Sequence, residues 1–153
     1  MIHIVDRSPA ALDARVSEMA ARCREHGLAV TPQRLTVFRA LLESHDHPSS
    51  EMLFDRVRAQ LPSLSMATVY KILDALGDIG VVREVAVVND CRRFDANLER
   101  HHHLVCTRCK SVVDFYDERL DEVRPAKTPR GFKAREVQVQ VLGLCRTCAA
   151  GDD

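Results

Sequence analysis

Apolar residues in the first half of the chain recur at helical spacing. Leu12, Val16, Met19 and Cys23 stand at i, i+4, i+7 and i+11, one stripe that predicts a helix over 10–26, with Gly27 as its stop. Thr31-Pro32 opens a second helix, Thr as N-cap and Pro in the first turn, with Leu35, Phe38, Leu41 and Leu42 on its apolar face. Pro48 disfavours helix at His47 and closes that segment. Ser49 then caps a third helix carrying Leu53, Phe54 and Val57. After a turn at 62–64, Ser65 caps a fourth helix, Met66 to Ile79, which Gly80 ends. Its buried stripe is Val69, Ile72, Leu73 and Leu76, while Thr68, Tyr70 and Lys71 lie near its N-terminal end on other faces.

The period then changes. Residues 81–88, VVREVAVV, are rich in β-formers, Asn89-Asp90 reads as a turn, and 92–94 as a returning strand. Three helices, a turn-separated fourth and a two-stranded ribbon predict a winged helix-turn-helix over 1–94. In such a unit the fourth helix enters the major groove and the ribbon lies along the backbone; a plain helical domain with a half-buried Tyr70 is the competing reading. A hinge follows, starting near Asp95 and running to Arg100. From 101 to 153 the pattern predicts a small α/β unit: two strands around a cysteine knuckle, a helical piece over 117–123, and a last strand over 133–142 in which Val137, Val139 and Val141 alternate with other residues. The fold class is therefore α+β. A unit this small needs a metal for rigidity, and its unpaired strand edge and small apolar face suit a dimerisation module.

Composition narrows the function. At 153 residues and 46% hydrophobic, the chain can form one ordinary domain or two small ones. It has no apolar run long enough to span a membrane and no secretory signal at its N-terminus, so the expected setting is cytoplasmic and reducing. There, paired cysteines hold metal more readily than disulfides. Net charge is zero, with 9 basic and 10 acidic residues through Gly80 and 13 and 12 beyond it. Binding to nucleic acid by bulk electrostatics is thus disfavoured, and DNA contact must come from a local arrangement.

The chemistry concentrates in His101 to Asp114, HHHLVCTRCKSVVD. Cys106 and Cys109 form one C-x-x-C, and Cys145 and Cys148 form another. Four thiolates from two such knuckles close a tetrahedral shell around Zn2+ with no open position, the pattern of a structural site. A thioredoxin-like motif would instead use a single C-x-x-C opening a helix. Cys23 and Cys91 read as a helix-face residue and a loop thiol. In an extended segment His101 and His103 share one face and His102 takes the other. If the knuckle turns the chain back, 111–115 pairs antiparallel with 101–105 and Asp114 falls within a residue or two of opposite His101 and His103. Two imidazoles and a carboxylate suit a divalent transition metal.

These pieces resemble the ferric-uptake-regulator family of metal-dependent bacterial repressors: TPQR at 31–34, HPSSEMLF at 47–54, SMATVYKILDAL at 65–76, RRFD at 92–95, HHHLVCTRC at 101–109, VVDF at 112–115 and CRTC at 145–148. The resemblance implies an N-terminal winged helix, a C-terminal dimerisation domain, and a homodimer that binds a palindromic double-stranded operator when metallated. It also implies DNA contacts from Thr68, Tyr70 and Lys71. The chain is most similar to the peroxide-responsive branch, whose regulatory metal, Fe2+ or Mn2+, would here be held by His47, Asp95, His101, His103 and Asp114. Iron-responsive relatives usually carry Glu at the position of Asp114, and many carry a further histidine in the last strand, which Arg135 to Leu142 lacks. His102 is an additional potential ligand, and Ala29 stands where many relatives have a basic residue. The branch resemblance implies oxidation of a ligand histidine as the response to peroxide, without turnover.

Three other readings compete. An iron- or manganese-responsive repressor would share the site but ignore peroxide. A hydrolytic metalloenzyme would need a general base beside a metal-bound water, and the chain contains no H-E-x-x-H. A zinc-ribbon scaffold that binds only protein would leave the TVYK helix unexplained.

Overall fold

The computed structural model describes residues 6–85 and 91–151. They divide into two compact units, one reaching Leu98 and the other beginning at Glu99.

The first unit is four helices and a ribbon: α1 (Pro9–Glu25), α2 (Pro32–Glu43), α3 (Ser50–Val57), α4 (Met66–Asp78), β1 (Arg83–Val85) and β2 (Arg93–Asp95). Each helix starts where a side chain can satisfy an orphaned backbone N–H. The hydroxyls of Ser8, Thr31, Ser49 and Ser65 accept from the amides of Ala11, Arg34, Met52 and Thr68, and each such cap is worth about 1 kcal/mol. Gly27 and Gly80 follow α1 and α4 at φ +70° and +74°, the left-handed region that a Cβ would penalise. The apolar stripes converge on one core in which Met19, Cys23, Val37, Phe38, Leu53, Val57, Val69, Leu73 and Leu76 are almost fully buried. Leu35 and Phe54, expected on core faces, are only partly buried against it. Antiparallel β1 and β2 pair Arg83 with Asp95 and Glu84 with Phe94. This is the expected winged helix. The expected turn at Asn89-Asp90 and the strand residues beyond Val85 lie outside the described residues.

The second unit holds a three-stranded sheet of order β4-β3-β5, made from β3 (His102–Cys106), β4 (Val112–Phe115) and β5 (Gln140–Gly143), with short helices α5 (Glu118–Asp121) and α6 (Arg146–Ala150). The first knuckle reverses the chain as expected. Lys110 takes φ 63° and donates to the Cys106 carbonyl, the Cys106 amide bonds the Ser111 carbonyl, and β3 pairs antiparallel with β4.

Two expected elements are shorter than their patterns suggest. The helical piece over 117–123 is a single turn, Glu118–Asp121. The last strand, expected over 133–142, is only Gln140–Gly143. It runs parallel to β3 with Gln140 opposite His103, so residues before 139 run off the end of β3 and have no ladder to join. Alternation marks which side chains could share a face, but a strand lasts only as long as its partner.

One face of this sheet is apolar and open. Leu104 pairs with Val113 on one side and Val141 on the other, and the three are 41, 53 and 46% exposed. No helix among the described residues is long and apolar enough to cross a membrane.

Candidate functional site

Cys106, Cys109, Cys145 and Cys148 come together at one end of the second unit. Their sulfurs all lie within 4.8 Å of one another, and the Cys109 and Cys145 sulfurs are 3.8 Å apart. A zinc ion with bonds of about 2.3 Å to four tetrahedral thiolates separates its sulfurs by about 3.8 Å. Backbone amides aim into the same space: the Cys145 amide donates to Cys106 Sγ at 3.4 Å. Such bonds from Cys145 and Cys109 draw the Cys106 thiol down to about 6, and the Ser111 hydroxyl and amide lower Cys109. Cys148, crowded by the Cys145 thiol and its neighbours, is pushed up to about 12. Four thiols this close cannot all ionise without a cation among them, and the donor set fits a closed structural zinc site.

The histidine run splits by face. His101 and His103 lie on one side of β3 with Asp114 of β4. Their Nε2 atoms are 3.0 Å apart, and Asp114 Oδ1 is 3.4 Å from the first and 3.6 Å from the second. A metal–nitrogen bond of about 2.1 Å sets ligand spacings of about 3.0 Å at right angles and about 3.4 Å at the tetrahedral angle. Both histidines are at least nine-tenths buried. His101 Nδ1 lies 2.8 Å from the Glu99 carbonyl, to which it donates, and that leaves Nε2 with its lone pair for a cation.

His102 points the other way. It is 1% exposed, its ring lies 5.6 Å from that of Phe115, and its Nε2 is 3.0 Å from Asp121 Oδ1. Arg100 Nε approaches the same oxygen at 3.4 Å. The additional potential ligand is thus engaged on the opposite face of the sheet, with an aspartate that pattern reading did not single out.

His47 and Asp95 belong to the first unit, where they meet. His47 Nδ1 is 3.7 Å from Asp95 Oδ2, and both residues are buried. The amide of Asn97 donates to Asp95 Oδ1 at 2.7 Å. His47 holds φ 45° ahead of Pro48, which excludes the helical alternative, and the Arg93 guanidinium donates to its carbonyl. Left-handed backbone is uncommon outside glycine, although histidine adopts it more readily than most residues.

On α4 the three expected DNA-contact residues share the N-terminal half. Lys71 is exposed, and Thr68 and Tyr70 are half-buried. The Thr68 hydroxyl is 2.8 Å from that of Ser65. The Tyr70 hydroxyl donates to Glu51 of α3, a residue inside the HPSSEMLF stretch to which the sequence assigned no role of its own.

A winged helix joined to a sheet unit with a four-thiolate site and a separate histidine–carboxylate cluster defines a metal-binding protein of the DNA-binding regulator type. The model of the ferric uptake regulator family matches residues 25–142, and the chain belongs to that family. It is 33% identical to the peroxide-responsive repressor PerR of Staphylococcus epidermidis over 138 residues, 90% of this chain and 92% of that protein. Among solved structures, the Helicobacter pylori ferric uptake regulator superposes with a TM-score of 0.73 at 22% identity, covering 90% and 93% of the two chains. PerR from Streptococcus pyogenes, solved as a basis for peroxide sensing and gene regulation, gives 0.52 at 28% identity, covering 88% and 92%.

Proposed function

We propose that this chain is a metal-dependent transcriptional repressor that binds a palindromic operator as a homodimer and responds to peroxide by oxidation of one of its own ligand histidines. The observation that carries the reading is the buried His101, His103 and Asp114 set, at ligand spacing and separate from the four-thiolate site. In this reading one Fe2+ or Mn2+ would be held by these three residues, with His47 and Asp95 as the further ligands that the family resemblance implies. Three imidazoles and two carboxylates form a donor set that would suit either ion.

The likeness to the staphylococcal PerR supports peroxide as the signal, and so does Asp rather than Glu at 114. Iron, when bound, supplies one-electron chemistry toward peroxide that manganese does not readily supply. The imidazole of His47 or His101 takes up one oxygen atom while peroxide leaves as water. The ring is consumed, so the response has no turnover and is not enzymatic. Losing a ligand loosens the metal clamp, and the population of the DNA-binding geometry falls with it.

DNA recognition is assigned to α4 through Thr68, Tyr70 and Lys71, with the ribbon along the backbone. The open Leu104, Val113 and Val141 face is assigned to the dimer, and the reading places the protein in the cytoplasm. Metal-dependent retardation of promoter DNA, repeated with each metal before and after peroxide, tests the whole. A repressor responding to iron or manganese alone would bind DNA with metal and keep it through peroxide.

A further inference from the structure

We propose that Glu51 is a positioning residue for base reading: by accepting the hydroxyl hydrogen of Tyr70, it leaves that hydroxyl only lone pairs to offer DNA, so Tyr70 selects a base with an exocyclic amine, adenine or cytosine. The inference rests on the assignment of α4 as the groove-entering helix.

Glu51 lies in the first turn of α3, and Tyr70 in the N-terminal half of α4. The carboxylate sits at the positive end of the helix dipole, and the nearby Ser49 hydroxyl and Glu51 backbone amide add to Tyr70 in lowering its pKa. The Tyr70 O–H donates into this acceptor. Each group shifts in the sense the bond requires: the Glu51 carboxyl falls below its ordinary range, chiefly through Tyr70, and the Tyr70 phenol rises above its own, chiefly through Glu51. The hydrogen therefore stays on the phenol and is committed to Glu51.

A tyrosine hydroxyl has one hydrogen to give and lone pairs to accept with. Phosphate oxygens, guanine N7 and O6, adenine N7 and thymine O4 all accept, and none can bond a hydroxyl whose hydrogen is committed elsewhere. The donors at base edges in the major groove are adenine N6 and cytosine N4. The Glu51 charge also repels phosphate, which keeps the Tyr70 ring on the base edges. An A·T pair satisfies both ends of the side chain, the amine at the hydroxyl and the thymine methyl at the ring.

The test uses full-length, Mn2+-loaded protein and a duplex library randomised across the binding site, sequenced before and after capture. Wild type, Tyr70→Phe, Glu51→Ala and the double variant are compared. Wild type should prefer an amine-bearing base at one position per half-site. Tyr70→Phe should lower that preference roughly two- to tenfold, as expected for one hydrogen bond. Glu51→Ala should flatten it similarly, because the freed hydroxyl can then also donate to guanine O6 and thymine O4. The double variant should resemble Tyr70→Phe alone, since Glu51 acts only through the hydroxyl. The proposal is overturned if Glu51→Ala keeps every wild-type base preference, or if Tyr70→Phe alters none. A Tyr70→Ala protein that captures the same sequences at wild-type affinity would instead overturn the assignment of α4 itself.

Discussion

His103 stands directly across the β3–β4 ladder from Asp114, with Nε2 3.6 Å from Oδ1. The approach of Asp114 to the two histidines is therefore a property of strand register. A slip of one residue would carry Asp114 to the face where His102 meets Phe115, because side chains alternate. The four-thiolate site guards that register, since Cys106 ends β3 and the turn to β4 lies within its knuckle.

Asp114→Glu should keep an oxygen donor and metal-dependent DNA binding, while its longer reach shifts that donor and slows oxidation. The check is the rate at which the Fe2+ protein gains one oxygen by mass, set beside its affinity for promoter DNA. Equal oxidation rates in the two proteins would remove the special role of the shorter carboxylate.

Cys106→Ser should lose zinc and dimerisation together. Structural zinc in small domains contributes on the order of 10 kcal/mol to folding, far more than a sheet of this size supplies alone. Metal analysis and sedimentation of the variant decide the matter, and a stable zinc-free dimer would refute the structural role.

Leu104→Glu should favour the monomer without unfolding the chain, because Leu104 is 41% exposed between Val113 and Val141. Burying the part of this leucine that is still exposed is worth roughly 1 kcal/mol, and two-fold symmetry counts the residue twice. Sedimentation equilibrium should show a dimer dissociation constant raised at least tenfold, whereas an unchanged constant would place the interface elsewhere.

Tyr70→Ala should cost roughly 1–3 kcal/mol at the operator, measured by titration of promoter DNA with the Mn2+ protein. If neither it nor Lys71→Ala changed affinity, α4 would not be the reading helix.

The helices were legible from the chain because the signals that set them are local. The hydroxyls of Thr31, Ser49 and Ser65 satisfy amides three residues on, and the apolar stripes need only their own periodicity. The face assignment of His101, His102 and His103 was legible for the same reason. The length of β5 was not, because it depends on where β3 ends. Nor were the Glu51–Tyr70 and His102–Asp121 pairs. Each joins residues from separate elements, and no spacing in the sequence announces the approach.

Sensing of peroxide through iron-dependent oxidation of a ligand histidine stands or falls on one comparison. The most direct measurement treats Fe2+- and Mn2+-loaded protein with the same micromolar-scale peroxide, then reads peptide masses and promoter binding from each sample. In the Fe2+ form one oxygen should appear on a peptide containing His47 or His101, and DNA binding should fall in step. The Mn2+ form should keep both its mass and its DNA, and replacing Cys23 and Cys91 with Ser should change neither result. Equal release of DNA from both metal forms, or release only when Cys91 is present, would contradict the account.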